Sequence, residues 1–166
     1  ESERLELESR PFSLRDAVED SFDLVAPAAA AKGVDLSFRI EPSVPATLEG
    51  DVTRVRQILL NLLSNAVKNS SDGGAVDVAC GRSDGSVRIA VSDRGPGVPE
   101  AFRGRLFQKF QLADTTDSRR GGGAGLGLAI SRAIVEGLDG RIGYEDRPEG
   151  GSVFWFALPL CPNPEH

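Results

Sequence analysis

The sequence predicts an α+β fold, a two-layer α/β sandwich in which a mixed, mostly antiparallel sheet is covered on one face by about three helices. Three observations carry this. Val34, Leu36, Phe38 and Ile40, and again Val87, Ile89 and Val91, alternate with polar residues as half-buried strands do. The segments 13–33, 52–69 and 125–138 place apolar residues at helical spacing. Strands and helices succeed one another without an internal repeat, an order that leads to a mixed sheet.

The elements follow in order. Leu5 and Leu7, between Arg4, Glu6 and Glu8, predict a short strand before a break at Pro11. Ser13 and Asp16 read as a capping box opening a helix that passes through Ala17, Phe22 and Val25 to Gly33, with Pro27 as a bend. The strand Val34 to Ile40 comes next, then an extended piece at 46–49 and a strong helix over 52–69, stopped by Ser70-Ser71-Asp72-Gly73-Gly74. Val76 to Cys80 and Val87 to Val91 form strands joined through Asp84 and Gly85 as a hairpin. From Asp93 to Gly123 the chain is polar and glycine-rich, with one amphipathic piece from Phe102 to Phe110, and is expected to be a long mobile loop. A helix from Gly125, carrying Leu126, Ile130, Ala133, Ile134 and Leu138, and strands at 142–145 and 152–158 complete the order.

With 166 residues, 40% hydrophobic and 27% charged, the chain can bury one substantial core and is read as one domain. A net charge of −6 excludes a general nucleic-acid binder, which needs clustered Lys and Arg. No apolar run approaches the roughly 20 residues that span a bilayer, and the acidic start lacks signal-peptide character. The expectation is a cytoplasmic fragment without membrane contact, monomeric in isolation. Cys80 lies in phase with Val76 and Val78 and reads as core, and Cys161 is too distant to share a metal or redox spacing with it. The sole histidine, His166, is the last residue, so histidine catalysis within this chain is not expected.

Four features carry chemistry. At 3.6 residues per turn, Arg54, Gln57, Asn61, Asn65 and Lys68 form one stripe on an otherwise apolar helix, opposite Val55, Leu59, Leu62, Leu63 and Ala66. Two carboxamides and an ammonium so placed suit a metal ion carrying phosphates; the competing reading is an exposed polar face. Asp93 shares the face of Val87, Ile89 and Val91, so its carboxylate points inward at a strand end and needs a hydrogen-bond donor. An adenine amino group would serve, with Gly95 and Gly97 admitting the base; the competing reading is an Asp-Gly turn. Gly121-Gly122-Gly123-Ala124-Gly125-Leu126-Gly127-Leu128 runs into a helix whose start offers N–H groups to phosphate, or else it is a hinge. It is neither a Walker loop nor a dinucleotide fingerprint, because no Gly-Lys-Ser/Thr follows and no βαβ unit surrounds it. Phe107 and Phe110 would anchor a lid, and Arg119 and Arg120 would reach phosphates or remain solvated charges.

Taken together and in this order, these motifs resemble the catalytic ATP-binding domain of sensor histidine kinases, in the superfamily shared with gyrase, mismatch-repair ATPases and a heat-shock chaperone. Asp51 to Lys68 is similar to the family's N box, Asp93-Arg-Gly95-Pro-Gly97 to the first glycine box, Phe107-Gln-Lys-Phe110 to the F box, and Gly123-Ala-Gly125-Leu-Gly127-Leu to the second glycine box. Gly150-Gly151-Ser152-Val-Phe-Trp-Phe resembles the closing strand. The resemblance implies the Bergerat ATP-binding fold and a Mg2+-ATP site. Asn61 and Asn65 would hold the metal, Lys68 and Arg120 would act on the phosphates, and Asp93 would bind adenine. Gly95, Gly97, Val98, Phe107, Gly123, Gly125, Leu126, Gly127 and Leu128 would line the nucleotide.

In the ATPase relatives a glutamate at the place of Asn61 activates water; an amide cannot act as a base, which favours transfer to an external imidazole over hydrolysis. Two departures stand out: Asn69 replaces a usual aromatic residue that packs over the nucleotide, and Ala124 replaces a common threonine. The expected organisation is a junction and first strand at 1–10, the catalytic domain at 11–160 with a lid at about 98–123, and a tail at 161–166. The expected function is transfer of the γ-phosphate of Mg2+-ATP to a histidine on a separate dimerisation domain, with a response regulator receiver domain downstream. Little autophosphorylation is expected of the chain alone. The alternatives are an ATPase of the same superfamily, or a nucleotide-sensing or protein-interaction module without turnover, towards which only Asn69 leans.

Overall fold

The computed structural model describes residues 9–96 and 124–159. The strand expected at Leu5 and Leu7, the residues Gly97, Val98, Phe107, Phe110, Arg119, Arg120 and Gly123, and Cys161 and His166 lie outside them, as do nearly all of the expected lid and tail. The described part contains β1 (Arg10–Ser13), α1 (Leu14–Lys32), β2 (Asp35–Ile40), β3 (Thr47–Gly50), α2 (Val52–Asn69), β4 (Ala75–Ser83), β5 (Ser86–Asp93), α3 (Ala124–Gly137), β6 (Arg141–Asp146) and β7 (Ser152–Pro159). Five strands form one sheet in the order β2-β4-β5-β7-β6, with β2 and β4 parallel and every other pair antiparallel. β1 and β3 form a separate antiparallel ribbon. This is the mixed, mostly antiparallel sheet with three helices expected from the sequence.

Pro11 does not break the first element. It lies within β1, opposite Glu49, and a two-stranded ribbon tolerates a residue that lacks an N–H. Ser13 caps α1, its hydroxyl accepting the Asp16 N–H at 3.1 Å. Gly33 closes the helix with φ 67°, a left-handed cap that glycine adopts without Cβ strain. Leu14, Ala17, Val18, Ser21, Val25 and Ala29 form its buried stripe, and the helix continues through Pro27.

The α2 helix occupies the middle of the helical layer, packed between α1 and α3 and over the sheet. Ile58, Leu59, Leu62 and Leu63 are fully buried along it. They meet the inner sheet face, where Val78 stands opposite Val91, Ile89 opposite Phe156, and Val91 opposite Phe154. Phe154 and Phe156 are the largest of the fully buried side chains. Cys80 is core, as expected, and burial pushes its thiol up to about 12. The β4–β5 hairpin turns at Asp84, whose φ is 54°.

One expectation about α3 needs correction. Leu128, Ser131, Ile134 and Val135 are buried, whereas Ile130 is 39% exposed and Ala133 also faces outward. The inward face is thus centred one position away from the stripe drawn through Ile130 and Ala133, because the helix lies against α2 through Gly127 and Ser131.

Candidate functional site

Three element ends converge at one edge of the sandwich: the last residue of β5, the start of β7 and the last turn of α2. Asp93 closes the alternating inward series of β5 and is 1% exposed. Its Oδ1 accepts the Gly95 N–H at 2.8 Å, the short-range contact of an Asx turn. Its Oδ2 is buried and has no partner among the described residues. Burial raises the Asp93 pKa, while the backbone N–H groups of Gly95 and Ser152 and the Arg147 guanidinium oppose the rise. The Asp-Gly turn and the inward carboxylate are therefore both present, and the turn occupies only one of the two oxygens.

Gly95 is required by its neighbour in the chain fold. An ideal Cβ there would stand 2.1 Å from the Asn69 carbonyl oxygen, so the missing side chain admits the C-terminus of α2. Gly151, with φ 115°, is pressed equally hard against β5, since a Cβ on it would be 2.0 Å from the Asp93 carbonyl oxygen. The end of β5 is held between α2 on one side and the β6–β7 turn on the other.

The polar stripe of α2 divides by depth. Gln57 and Lys68 are exposed, Arg54 and Asn61 half-buried, and Asn65 is 7% exposed. An exposed polar face thus describes only part of the stripe. The Asn61 Nδ2 donates to the Ser131 hydroxyl at 3.1 Å and to the Gly127 carbonyl at 3.4 Å, which leaves Oδ1 as its accepting atom. Asn65 lies one turn further along the same stripe and is buried. Two amide oxygens one helical turn apart are hard donors of the kind Mg2+ takes, alongside phosphate and water oxygens. No group of three or more His, Cys, Asp or Glu able to hold a metal occurs among the described residues.

Lys32 fixes the end of α2. Its Nζ donates to the Val67 and Lys68 carbonyls, each at 3.0 Å, in the last turn, where the helix dipole favours a cation; the Val67 carbonyl also accepts the Ser70 N–H at 3.2 Å. The sequence reading passed over Lys32, Ser131 and Arg147, and placed Gly151 in the closing-strand motif without giving it a part in the site. Ser131 alone carried a signal, as the only polar residue in the stripe Leu128, Ser131, Ile134 and Val135. Of the residues expected at the site, Asn61 and Gly127 are joined by a hydrogen bond, as are Asp93 and Gly95, and Leu128 is buried close by in α3. Gly125 and Leu126 belong to the first turn of α3. Asn69 is exposed and meets Gly95 through its carbonyl.

A five-stranded mixed sheet, three covering helices and an inward acid at a strand end beside a helix bearing two asparagines define an ATPase domain of the histidine-kinase type. The chain belongs to the family described as histidine kinase-, DNA gyrase B-, and HSP90-like ATPase, which matches residues 50–162. Among curated proteins it is similar to the signal transduction histidine-protein kinase BarA of Escherichia coli (strain K12), with 38% identity over 99% of this chain and 18% of the relative. It is also similar to the sensor protein GacS of Pseudomonas syringae pv. syringae, with 41% identity over 96% of this chain and 18% of the relative. The chain thus spans about a fifth of these relatives' length.

Among solved structures, the nucleotide-free catalytic domain of histidine kinase ThkA superposes with a TM-score of 0.79 at 27% identity, over 94% of this chain and 99% of that one. Full-length ShkA in complex with AMPPNP gives a TM-score of 0.83 at 33% identity, over 96% of this chain and 32% of that one.

Proposed function

We propose that this domain binds ATP with Mg2+ and donates the γ-phosphate to a histidine on a separate dimerisation domain of a sensor histidine kinase. The observation that carries the reading is the Asp93 carboxylate, buried at a strand end with Oδ2 unpartnered. An unpaired buried acceptor costs about 1–3 kcal/mol, and the exocyclic amino group of adenine would remove that cost by donating to it. Membership of an ATPase family and the AMPPNP complex of a similar kinase support ATP as the nucleotide.

Bound Mg2+ would neutralise phosphate charge, which is most of what phosphoryl transfer requires from its surroundings. The domain's own residues would bind and orient. Asn61 and Asn65 offer amide oxygens to the metal, with Asn61 aimed by Ser131 and Gly127. Lys68, exposed at the end of α2, is a mobile cation for phosphate oxygens, and Arg120 is proposed to add a second. Gly97, Val98, Phe107, Gly123, Gly125, Leu126, Gly127 and Leu128 are proposed to enclose the nucleotide. Asn61 cannot take a proton from water as a carboxylate would, which favours transfer over hydrolysis.

The acceptor histidine and a response regulator would be supplied by other domains or chains. A similar histidine kinase, ThkA, has been solved in complex with response regulator protein TrrA. No helix among the described residues is long and apolar enough to cross a membrane. The test incubates the chain with labelled ATP alone and with a separate phospho-acceptor domain. Label on the acceptor, with slow phosphate release by the chain alone, is expected. Rapid release without transfer would identify an ATPase, and absence of nucleotide binding an interaction module.

A further inference from the structure

We propose that Arg147 is a positioning residue for adenine recognition, holding the β6–β7 turn against the end of β5 and so setting the place of the Asp93 carboxylate. The inference rests on the adenine reading of Asp93. Arg147 closes the turn with both its main chain and its side chain. Its N–H donates to the Gly151 carbonyl at 3.1 Å, and its carbonyl accepts from the Gly150 N–H at 2.9 Å. Nη1 donates to the Gly150 carbonyl at 3.1 Å, and Nη2 lies 3.3 Å from a Glu149 carboxylate oxygen.

The Arg147 side chain is only 20% exposed whereas that of Glu149 is 79% exposed, so the guanidinium is packed onto the turn and is not spread into solvent. The turn contains two consecutive glycines with φ of 103° and 115°. Such a pair is the most pliable backbone available and stays in one shape only if something else holds it. The consequence passes directly to Asp93. The second glycine, Gly151, leaves no room for a side chain above the Asp93 carbonyl, and a Cβ on it would also stand 2.9 Å from the Arg94 Cα. The next residue, Ser152, is the strand partner of Asp93. Asp93 is paired with Val76 of β4 on its other side, so a turn free to lift would loosen one of the two flanks of the main chain that carries the carboxylate, and a hydrogen bond to a base tolerates only a few tenths of an ångström of displacement. The positive field of Arg147 acts on the same carboxylate and favours its ionised, accepting form.

The experiment compares ADP with inosine diphosphate, which lacks the adenine amino group, by calorimetry on the wild type, Arg147→Ala, Arg147→Lys and Asp93→Asn. Arg147→Ala is expected to weaken ADP binding by about three- to tenfold, the scale of one compromised hydrogen bond, while inosine diphosphate changes little. Arg147→Lys keeps the charge and loses the fork, and is expected to fall between wild type and Arg147→Ala. Equal loss for both nucleotides, or no loss in either variant, would overturn the role of Arg147. If Arg147→Ala does not fold, as read by circular dichroism, Arg147→Lys carries the same comparison. A wild type that binds the two nucleotides equally, together with an Asp93→Asn variant of unchanged ADP affinity, would instead overturn the adenine reading itself.

Discussion

The carboxamide of Asn61 on α2 donates to the hydroxyl of Ser131 on α3 across 3.1 Å, and Ser131 is fully buried. This bond, with the one to the Gly127 carbonyl, fixes which end of the amide faces the polar side of the helix. Ser131→Ala is expected to cost about 1 kcal/mol of stability by urea unfolding. It is also expected to slow phosphoryl transfer to an acceptor domain, because Asn61 loses the contact that orients it. Asn61→Ala is expected to slow transfer at least about 100-fold, the usual effect of removing one electrostatic stabiliser. A transfer rate unchanged in Asn61→Ala would refute its assignment to the metal.

Gly95→Ala sets a Cβ 2.1 Å from the Asn69 carbonyl oxygen, and both partners are backbone. The loop or the helix end must shift, at a cost of about 1–3 kcal/mol. Nucleotide affinity is expected to fall together with stability, because the displaced N–H is the one that holds Asp93 Oδ1. Thermal unfolding and nucleotide titration on the same sample check both effects.

The pKa of Asp93 is raised above its ordinary 3.8, chiefly by burial. Between the unfolded and the raised folded value, the folded chain keeps a proton that the unfolded chain has released. Stability of the nucleotide-free domain from this group is therefore full below the unfolded pKa and is lost as pH rises through the folded one. Nucleotide binding has the opposite slope, since an adenine amino group donates best to the ionised carboxylate. Affinity for ADP is expected to rise with pH through this window with release of a proton, measured by calorimetry in two buffers of different ionisation enthalpy. Asp93→Asn is expected to remove the slope, and a slope that persists in that variant would assign it to another group.

Lys32→Met retains most of the side-chain stem and removes the ammonium that binds the Val67 and Lys68 carbonyls. About 1 kcal/mol of stability is expected to be lost, with salt dependence reduced because a charge–dipole contact has gone. Hydrogen exchange should accelerate at Lys68 and Asn69 while the middle of α2 stays protected. Uniform loss of protection along α2 would contradict this local role.

Periodicity made most of the fold readable. The alternation of Val87, Ile89, Val91 and Asp93 placed the acid inside, and the i, i+4 spacing put Asn61 and Asn65 on one side of α2. Periodicity could not say how deep each residue lies. Asn65 is buried and Lys68 exposed on the same stripe, because depth depends on the neighbouring elements of the fold. Pro11 misled for the same reason: its missing N–H matters in a central strand and is harmless in a ribbon of two.

The sequence by itself determined the order and kind of the elements, the cap at Ser13, the glycine stop at Gly33 and the inward direction of Asp93. These are local properties, set by backbone sterics and by side-chain period. Tertiary structure alone decided that Gly95 meets Asn69, that Gly151 and Arg147 bear on Asp93, and that Asn61 is aimed by Ser131. Each of these joins residues far apart in the chain or on separate elements, and no local pattern encodes which ends of a sheet and two helices will come together.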